Sequence, residues 1–448
     1  MSNINNKDNV FEMVYSSFDK VKTIIKEDND RVIRKPEITR LLLDKIGRPD
    51  KKTRNILVTG SKGKGSTSRM ISSILEGHGL KVGLFTSPHL IDFNERIRVN
   101  GITISDDDLI RISNIINPSV KEISAGLEGK AYLGPMGVLL ALATSYFLEE
   151  KTDINVIECG RGGLFDDTNV LDNQYAVITR IMEEHVDKLG PTIIDIAEHK
   201  WGIVKCHTEH VIVGRQTDEV KSYLMNQTKG NIAHFLGEDF AVDDVRVTLD
   251  GTLFRINTNN AVYPGLKVPL LGTFQADNAA VAIKTCETIL GNQINKKKIE
   301  TVLNKIVWPG RCEVMQNNPT IVLDGSINQV SANYLVEIIN LLDCRKVITI
   351  IGVPIDKDYK GVIKVCSTFS NSIVITQTSK AIKDFPTDAL EYSRNCLTAS
   401  IEIPVLPEAI DWAKSQDAVE LILVVGTQTL IGEALNLWGR SLNDISIK

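Results

Sequence analysis

Short apolar, β-branched runs alternate with helix-length amphipathic stretches along this 448-residue chain, and that alternation restricts the fold more than any other feature. In chain order, the first runs that read as strands are NILVT (55–59), KVGLFT (81–86), INVIE (154–158), YAVITRI (175–181) and HVIVG (210–214). Strands separated by helices pair in parallel, and the helices cover the sheet that results. The pattern therefore predicts an α/β domain built on a mostly parallel sheet.

A second kind of pattern interrupts the alternation before it resumes. The segment VRVTLDGTLFRI (245–256) places a DG turn between two alternating runs, which predicts a β-hairpin and a small antiparallel patch. Later strand-like runs are TIVLD (320–324), KVITIIG (346–352), SIVIT (372–376) and ELILVVG (420–426). These later runs predict a second, smaller, Rossmann-like α/β domain.

The chain is too long for one hydrophobic core, so it is expected to divide into domains. The segment VWPGRCEVM (307–315) interrupts the periodicity with a Pro-Gly pair and reads as a hinge. We therefore expect an N-terminal domain over 1–306, a hinge linker over 307–315, and a C-terminal domain over 316–448.

Composition excludes several classes of partner. A net charge of −5 gives no reason to expect nucleic acid or a membrane surface, and no apolar stretch is long enough to span a bilayer. The start, MSNINNKDNVFEM, lacks the basic and apolar segments of a signal peptide. The seven cysteines are scattered without a CxxC pair, which favours reduced thiols over a disulfide or zinc framework. These features predict a cytoplasmic protein.

The stretch LVTGSKGKGSTSRM (57–70) joins the first strand to a helix through a turn rich in glycine and lysine. Such a turn lets backbone N–H groups converge, and the positive end of the helix dipole points at the same place. The turn therefore predicts a phosphate-binding loop. The spacing GxxxxGK[ST] is not met, so a P-loop kinase is a weaker interpretation, and an ordinary turn with solvent-facing lysines stays open.

Polar residues follow several other strands, at the edge where parallel sheets bind ligands. The run 85–101 is either part of a site or a solvated connector. Glu158 ends a buried strand, where an acid is costly unless it meets a cation or a donor. His185 also follows a strand, and it could be a ligand or a structural histidine. Lys200, near the end of a helix, would by default be exposed to water.

Eight motifs in order resemble those of the folylpolyglutamate synthase/dihydrofolate synthase family, a branch of the Mur ligase superfamily. They are VTGSKGKGST, GLFTSPHLIDFNERIRVNG, IECGRGGLFDDTNVLD, EEHVDKLGPTIIDIAEHKWGIVK, LLGTFQADNAAVAI, WPGRCEV, LDGSIN and GVPIDKDYKGV. The resemblance runs from about residue 35 to the C-terminus and covers both expected domains. It implies a central-type ATP-binding domain and an ADP-forming amide ligase that works through an acyl phosphate.

The resemblance also implies roles for individual residues. The positions implied to bind ATP are Gly60, Gly63, Lys64, Gly65, Ser66, Thr67, Asn278, Arg311 and Asp324. Two Mg²⁺ ions are implied, held by Ser66 and by the set Ser87, Glu158 and His185. The catalytic groups implied are Lys64, His185, Lys200 and Asp324, with Lys200 matching a lysine that reacts with CO₂ to form a carbamate. The implied partners are a small acid acceptor and an amino acid, most simply L-glutamate, and we expect a monomer.

The chain departs from the family pattern on the substrate side. Ile327 and Phe274 stand where histidines are usual, Gly134 stands where an acid is usual, and Leu164 replaces an arginine. The simplest interpretation is a ligase that adds L-glutamate to a pteroate or folate acceptor. Two alternatives stay open: the same chemistry on a non-folate acid or another amine, and a nucleotide-binding protein without turnover.

Overall fold

The computed structural model describes residues 4–25, 29–228, 230–291, 294–379 and 384–447. Its helices are α1 (Lys7–Asp19), α2 (Asp30–Ile33), α3 (Pro36–Lys45), α4 (Lys64–Gly77), α5 (Asp106–Ala125), α6 (Pro135–Glu149), α7 (Val186–Leu189), α8 (Ile193–Trp201), α9 (Asp218–Gln227), α10 (Phe274–Leu290), α11 (Lys296–Asn304), α12 (Gln329–Leu342), α13 (Tyr359–Cys366), α14 (Ala389–Cys396), α15 (Leu406–Lys414) and α16 (Gln428–Leu437). Its strands are β1 (Arg54–Thr59), β2 (Val82–Phe85), β3 (Ile97–Val99), β4 (Ile102–Thr103), β5 (Ile154–Glu158), β6 (Tyr175–Ile178), β7 (His210–Val213), β8 (Ile232–Phe235), β9 (Phe240–Thr248), β10 (Gly251–Thr258), β11 (Val262–Val268), β12 (Arg311–Asn317), β13 (Thr320–Asp324), β14 (Val347–Gly352), β15 (Ser372–Gln377), β16 (Ser400–Val405) and β17 (Leu421–Gly426).

The first eight strands form one sheet in the order β4-β3-β2-β5-β1-β6-β7-β8. The six strands from β2 to β8 in that order pair in parallel, whereas β3 and β4 add to the edge in antiparallel pairing. Helices cover both faces, so consecutive residues of a central strand are buried on opposite sides. Leu57 belongs to one hydrophobic cluster, and Ile56 and Val58 belong to the other.

The predicted hairpin is present. β9 and β10 pair in antiparallel fashion across the DG turn, and β11 extends them to a three-stranded sheet. This sheet contributes Phe254, Ile256 and Tyr263 to the cluster that also contains the apolar residues of α4 and α10. The expected α/β class with a small antiparallel patch is therefore confirmed.

The third sheet has the order β12-β13-β17-β14-β15-β16, with parallel pairing from β13 onward and an antiparallel edge strand, β12. β12 begins at Arg311, so residues 311–315 of the expected linker lie in a strand of this sheet. Residues 307–310 precede that strand and connect it to the preceding elements. The division into domains stays a prediction.

Near its C-terminus, the chain returns from the six-stranded sheet to the edge of the eight-stranded sheet. The Thr103 N–H donates to the Asn443 carbonyl at 2.9 Å, and the Ile445 N–H donates to the Gly101 carbonyl at 3.1 Å. The Arg98 guanidinium, 2% exposed, donates from Nη1 to the Leu442 carbonyl at 2.6 Å. Of the two interpretations of 85–101, the solvated connector does not describe its second half, which is buried under this segment.

None of the helices within the described residues combines the length and the apolar character that crossing a bilayer requires.

Candidate active site

A cavity of about 320 Å³ lies where the eight-stranded and six-stranded sheets face each other. Among the residues expected at a site, those that line it are Gly63, Lys64, Gly65, Ser66, Ser87, Glu158, His185, Asn278, Arg311 and Asp324. Three expected residues, Gly60, Thr67 and Lys200, lie behind this lining. The sequence therefore identified residues that the fold gathers around one space, although their roles stay predictions.

The glycine-rich loop between β1 and α4 presents unpaired N–H groups to the cavity. Gly60 and Gly63 have φ angles of 145° and 85°, a region that side chains rarely adopt. Gly63 caps α4, and in the described part of the chain the N–H groups of Lys64, Gly65 and Ser66 find no acceptor. These donors and the positive end of the helix dipole suit a phosphate group.

Lys64 places its ammonium on this loop. Nζ donates to the Gly60 carbonyl at 2.9 Å and to the Ser61 carbonyl at 3.5 Å, so the charge lies beside the unpaired N–H groups. Thr67 supports the loop from the rear, because its hydroxyl donates to Asn278 Oδ1 at 3.4 Å. The Asn278 amide in turn donates to Gln275 Oε1 at 3.0 Å.

Glu158, at the end of β5, is a carboxylate that accepts one hydrogen bond from the described residues. The Ser87 N–H donates to its Oε2 at 3.1 Å, and the side chain is buried. Burial raises the pKa of the Glu158 carboxyl, and the nearby Lys64 ammonium and the Ser87 N–H oppose that rise. A carboxylate in such a position is costly without a cation, so its surroundings suit one.

Among the expected Mg²⁺ ligands, Glu158 is the one carboxylate, beside two hydroxyls and an imidazole. No group of three or more His, Cys, Asp and Glu side chains that could hold a metal occurs in the described residues. Ser66 and Ser87, however, line the same cavity as Glu158, and their hydroxyls make no hydrogen bond to other described residues. Hydroxyl and carboxylate oxygens, completed by water and phosphate oxygens, fit Mg²⁺, which rarely uses an all-protein cage.

His185 lines the cavity from the turn before α7, where its φ is 48°. Burial lowers the pKa of its imidazole, although the Glu184 carboxylate opposes that change. Burial thus favours the neutral ring, which is the form that can bind a metal.

Lys200 is fully buried on α8, so the expectation that its ammonium lies in water is wrong. Nζ donates to the Gly60 carbonyl at 2.8 Å and to Glu184 Oε1 at 2.9 Å. The pKa of Glu184 is about 2, because the Lys200 and Lys64 ammonium groups outweigh the burial that would raise it. Burial lowers the pKa of Lys200. As an ammonium, Lys200 therefore links the glycine-rich loop to the segment that carries His185 through these two hydrogen bonds.

Asp324, at the end of β13, contributes to the opposite wall. Its carboxylate accepts hydrogen bonds from the Cys312 N–H and S–H, both at 3.1 Å, and from the Ser326 hydroxyl at 2.5 Å. Arg311 lines the same wall and has no ion pair within 4 Å in the described chain. A guanidinium without a carboxylate partner, facing a phosphate-binding loop, suits a phosphate group.

Sequence reasoning missed several residues of this site. Lys62 and Arg180 line the cavity and add to its positive charge, and Glu184 is the partner of Lys200. The position of Lys62 inside the glycine-rich loop was a usable signal. Nothing in the local sequence indicates that Glu184, rather than the adjacent Glu183, pairs with Lys200.

Comparisons with known proteins agree with this geometry. The profile of the Mur ligase middle domain matches residues 58–286. A dihydrofolate synthase/folylpolyglutamate synthase of Bacillus subtilis is 33% identical over 348 residues, which are 76% of this chain and 80% of that protein. A folylpolyglutamate synthase of Lacticaseibacillus casei is 30% identical over 361 residues, covering 79% and 84%.

A solved structure extends the likeness to the whole fold. The Mycobacterium tuberculosis folylpolyglutamate synthase complexed with ADP and AMPPCP superposes with a TM-score of 0.85 at 26% identity, covering 96% of this chain and 99% of that one. With the middle-domain match and the two relatives, this shows that the chain belongs to the dihydrofolate synthase/folylpolyglutamate synthase family of Mur ligases.

Proposed function

We propose that the protein is an ATP-dependent ligase that joins L-glutamate to the carboxylate of a pteroate- or folate-type acceptor, with release of ADP and phosphate. The observation that carries the proposal is one cavity, in a chain of this family. In it, a phosphate-binding loop, a buried carboxylate and Arg311 of the six-stranded sheet, which has no ion pair among the described residues, line the same space. ATP use is also supported by the family's structure with ADP and AMPPCP.

The chemistry has two steps. An oxygen of the acceptor carboxylate bonds to the γ-phosphorus of ATP and the bond to ADP breaks, which gives an acyl phosphate. The glutamate amine then bonds to the acyl carbon, phosphate leaves, and the nitrogen loses a proton. Both steps bring anions together, so fixed cations and N–H donors lower the barrier.

Different residues of the cavity bind the phosphates and the metal ion. Lys64 and the N–H groups of the loop hold the β- and γ-phosphates, and Arg311 reaches the phosphates from the other wall. Ser66, Ser87, Glu158 and His185 would hold Mg²⁺, which supplies positive charge between phosphate and acceptor when it is bound. Asp324, whose carboxylate accepts hydrogen bonds from Cys312 and Ser326, would lie beside the nucleotide. Because the walls come from two sheets, the acyl phosphate forms in a space from which water can be excluded.

The test is an assay for ADP release with Mg-ATP, an acceptor and an amino acid, with product masses. We expect ADP release that requires both dihydropteroate or tetrahydrofolate and L-glutamate, and a product that carries one more glutamyl residue. A panel of other acids and amino acids serves as the comparison. ATP consumption that needs neither acid nor amine, without an amide product, would contradict the proposal.

We also propose that Lys200 carries a carbamate in the active enzyme. The neutral amine adds to CO₂ and loses a proton, which gives a negatively charged carbamate on the side of the site where Lys64 lies. Burial lowers the pKa of Lys200 and so favours the neutral amine, while the ion pair with Glu184 favours the ammonium. The neutral amine and the ammonium of Lys200 are therefore alternative states, and the ion pair with Glu184 stabilises the ammonium.

A carbamate can be observed directly. With ¹³C-labelled bicarbonate, the wild-type protein is expected to show one carbamate resonance that is absent from Lys200→Ala. Glu184→Gln is expected to strengthen the resonance, because it removes the partner of the ammonium. Lys205 is a matched control, because burial lowers its pKa to about 8 yet it does not line the cavity. A resonance that survives Lys200→Ala but not Lys205→Ala would overturn the assignment.

A further inference from the structure

We propose that the C-terminal segment 439–447 is a strap that stays docked on the eight-stranded sheet during turnover, and that Arg69 and Arg98 are positioning residues that hold it there. This role goes beyond the proposed function and depends on it only where turnover is measured. The strap follows α16, which packs on the six-stranded sheet. Together with the linker 307–310, it connects the two sheets a second time.

The strap runs from the core of one sheet to the core of the other. Leu442 belongs to the cluster that α16 forms with the six-stranded sheet, whereas Ile447 packs against the cluster beneath the eight-stranded sheet. Between them, Ile102 and Asp444 form an antiparallel bridge, flanked by the two backbone hydrogen bonds of the strap described above. The strap therefore adds a short strand to the edge of the eight-stranded sheet.

Two buried arginines bind the backbone of the strap. Arg98, 2% exposed, donates from Nη1 to the Leu442 carbonyl at 2.6 Å, and Arg69, fully buried, donates from Nη2 to the Ile445 carbonyl. Nε of neither arginine has a hydrogen-bond partner within the described residues. A buried guanidinium is costly without acceptors, and detachment of the strap would take one acceptor from each. The fold therefore favours a strap that stays docked.

The charges around the two arginines support the same conclusion. The pKa of Arg98 is lowered to about 10, chiefly by burial and also by the neighbouring Arg69 guanidinium, while Glu95 and Asp444 oppose the change. Burial lowers the pKa of Arg69 as well, against Glu76 and Asp444. Asp444, on the strap itself, is thus a negative charge that both arginines share. Its carboxylate stabilises two like charges that lie close together.

Both arginines lie on elements that carry residues of the site. Arg69 is on α4, less than one helical turn after Ser66. Arg98 pairs with Leu84 of β2, and Ser87 follows that strand closely. The strap therefore binds the two elements that place the hydroxyls proposed to hold Mg²⁺.

A second, small cavity of about 40 Å³ lies between the strap and the site. It is lined by Leu442 and Ile445 of the strap, by Trp308 of the linker, and by Ser87 and Glu158 of the site. The linker and the strap are therefore neighbours on one side of the site. Two adjacent connections permit rotation about the line through them and prevent separation, so the catalytic cavity can open for substrates while the sheets stay together.

The bridge pair offers a reversible test. The two flanking hydrogen bonds make residues 102 and 444 a non-hydrogen-bonded pair, in which the Cα atoms are about 4.5 Å apart and a disulfide fits. In the variant Ile102→Cys/Asp444→Cys, oxidation locks the strap in its docked position. We expect the oxidised variant to keep the kcat of the wild type. Wild-type protein treated with the same oxidant is the control, because Cys206 and Cys396 are exposed.

Two further variants weaken the strap from its two sides. Arg98→Met removes a guanidinium that binds it, and Asp444→Lys reverses the shared charge at an exposed position. We expect each to lower kcat about tenfold and to raise the ratio of ADP released to amide formed above one, because water reaches the acyl phosphate when the sheets are less well docked. The oxidised crosslink, added to Arg98→Met, is expected to restore the ratio. Asp411→Lys, exposed on α15, is the matched control.

Binding of inorganic tripolyphosphate shows that each variant is folded, because the glycine-rich loop belongs to the eight-stranded sheet alone. An oxidised crosslink that stops turnover until it is reduced would mean that the strap must detach, and the proposal would be wrong. Variants that behave like Asp411→Lys, or a crosslink that leaves the ratio unrestored, would also overturn it. If the wild type forms no amide, the proposed function fails, and small-angle scattering still tests the strap: Asp444→Lys is expected to increase the radius of gyration, and an unchanged radius would refute the role of the strap.

Discussion

Lys64→Ala is expected to lower kcat by about a thousandfold, equivalent to about 4 kcal/mol of transition-state stabilisation. The ammonium of Lys64 lies 2.9 Å from the Gly60 carbonyl, beside three N–H groups without acceptors in the described chain. Negative charge shifts toward the β–γ bridge oxygen as ADP leaves, so a fixed cation there stabilises the transition state more than the ground state. Steady-state ADP release over a range of ATP concentrations measures the effect.

The control for this variant is a lysine outside the cavity. Lys81 precedes β2 and pairs with Glu150 at 2.7 Å near the surface, so Lys81→Ala removes a lysine without touching the cavity. Its kcat is expected to match the wild type. If Lys64→Ala turns over at a rate near that of Lys81→Ala, the loop does not bind the reacting phosphates.

The regular part of the fold could be predicted because the sequence repeats one unit. Runs such as NILVT and INVIE are apolar on consecutive positions, since both faces of β1 and β5 are buried. The edges of the sheets were harder. Arg98 reads as a loop residue because it is charged, yet it lies in β3 and donates to the Leu442 carbonyl, 344 positions away. A partner so distant in sequence leaves no local signal.

The site likewise combines residues that the sequence pattern predicts with contacts that depend on the packing of distant elements. Glu158 ends β5 and His185 follows β6, and the carboxyl ends of parallel strands in one sheet share one edge, so the convergence of these two residues follows from topology. Glu184 was missed. It pairs with Lys200 on another element, and the pairing depends on how α8 is placed. The sequence pattern within one segment does not predict how that segment packs against another.

Two buried glutamates, Glu95 and Glu158, differ in their hydrogen-bond partners, and the difference predicts that one serves stability and the other catalysis. Glu95 accepts three backbone hydrogen bonds, from Leu90, Ile91 and Asp92 at 3.0, 2.8 and 2.6 Å, so its carboxylate holds the turn before β3. Glu158 accepts only one in the described chain, from Ser87. A carboxylate with three donors is retained for the fold, whereas one with a single donor has oxygens available for a ligand.

Glu158→Gln is therefore expected to lower kcat by about a hundredfold to a thousandfold and to raise the Mg²⁺ concentration needed for half-maximal rate, because the proposed metal loses its one anionic protein ligand. The free energy of unfolding should not fall, since burial disfavours the charged form that the substitution removes. Glu95→Gln should show the reverse, a loss of about 1–3 kcal/mol of stability with a smaller effect on kcat. Chemical denaturation and Mg²⁺ titrations of both variants measure these quantities. If Glu158→Gln instead destabilises the fold while its Mg²⁺ dependence stays that of the wild type, Glu158 is a structural residue and the proposed metal site is wrong.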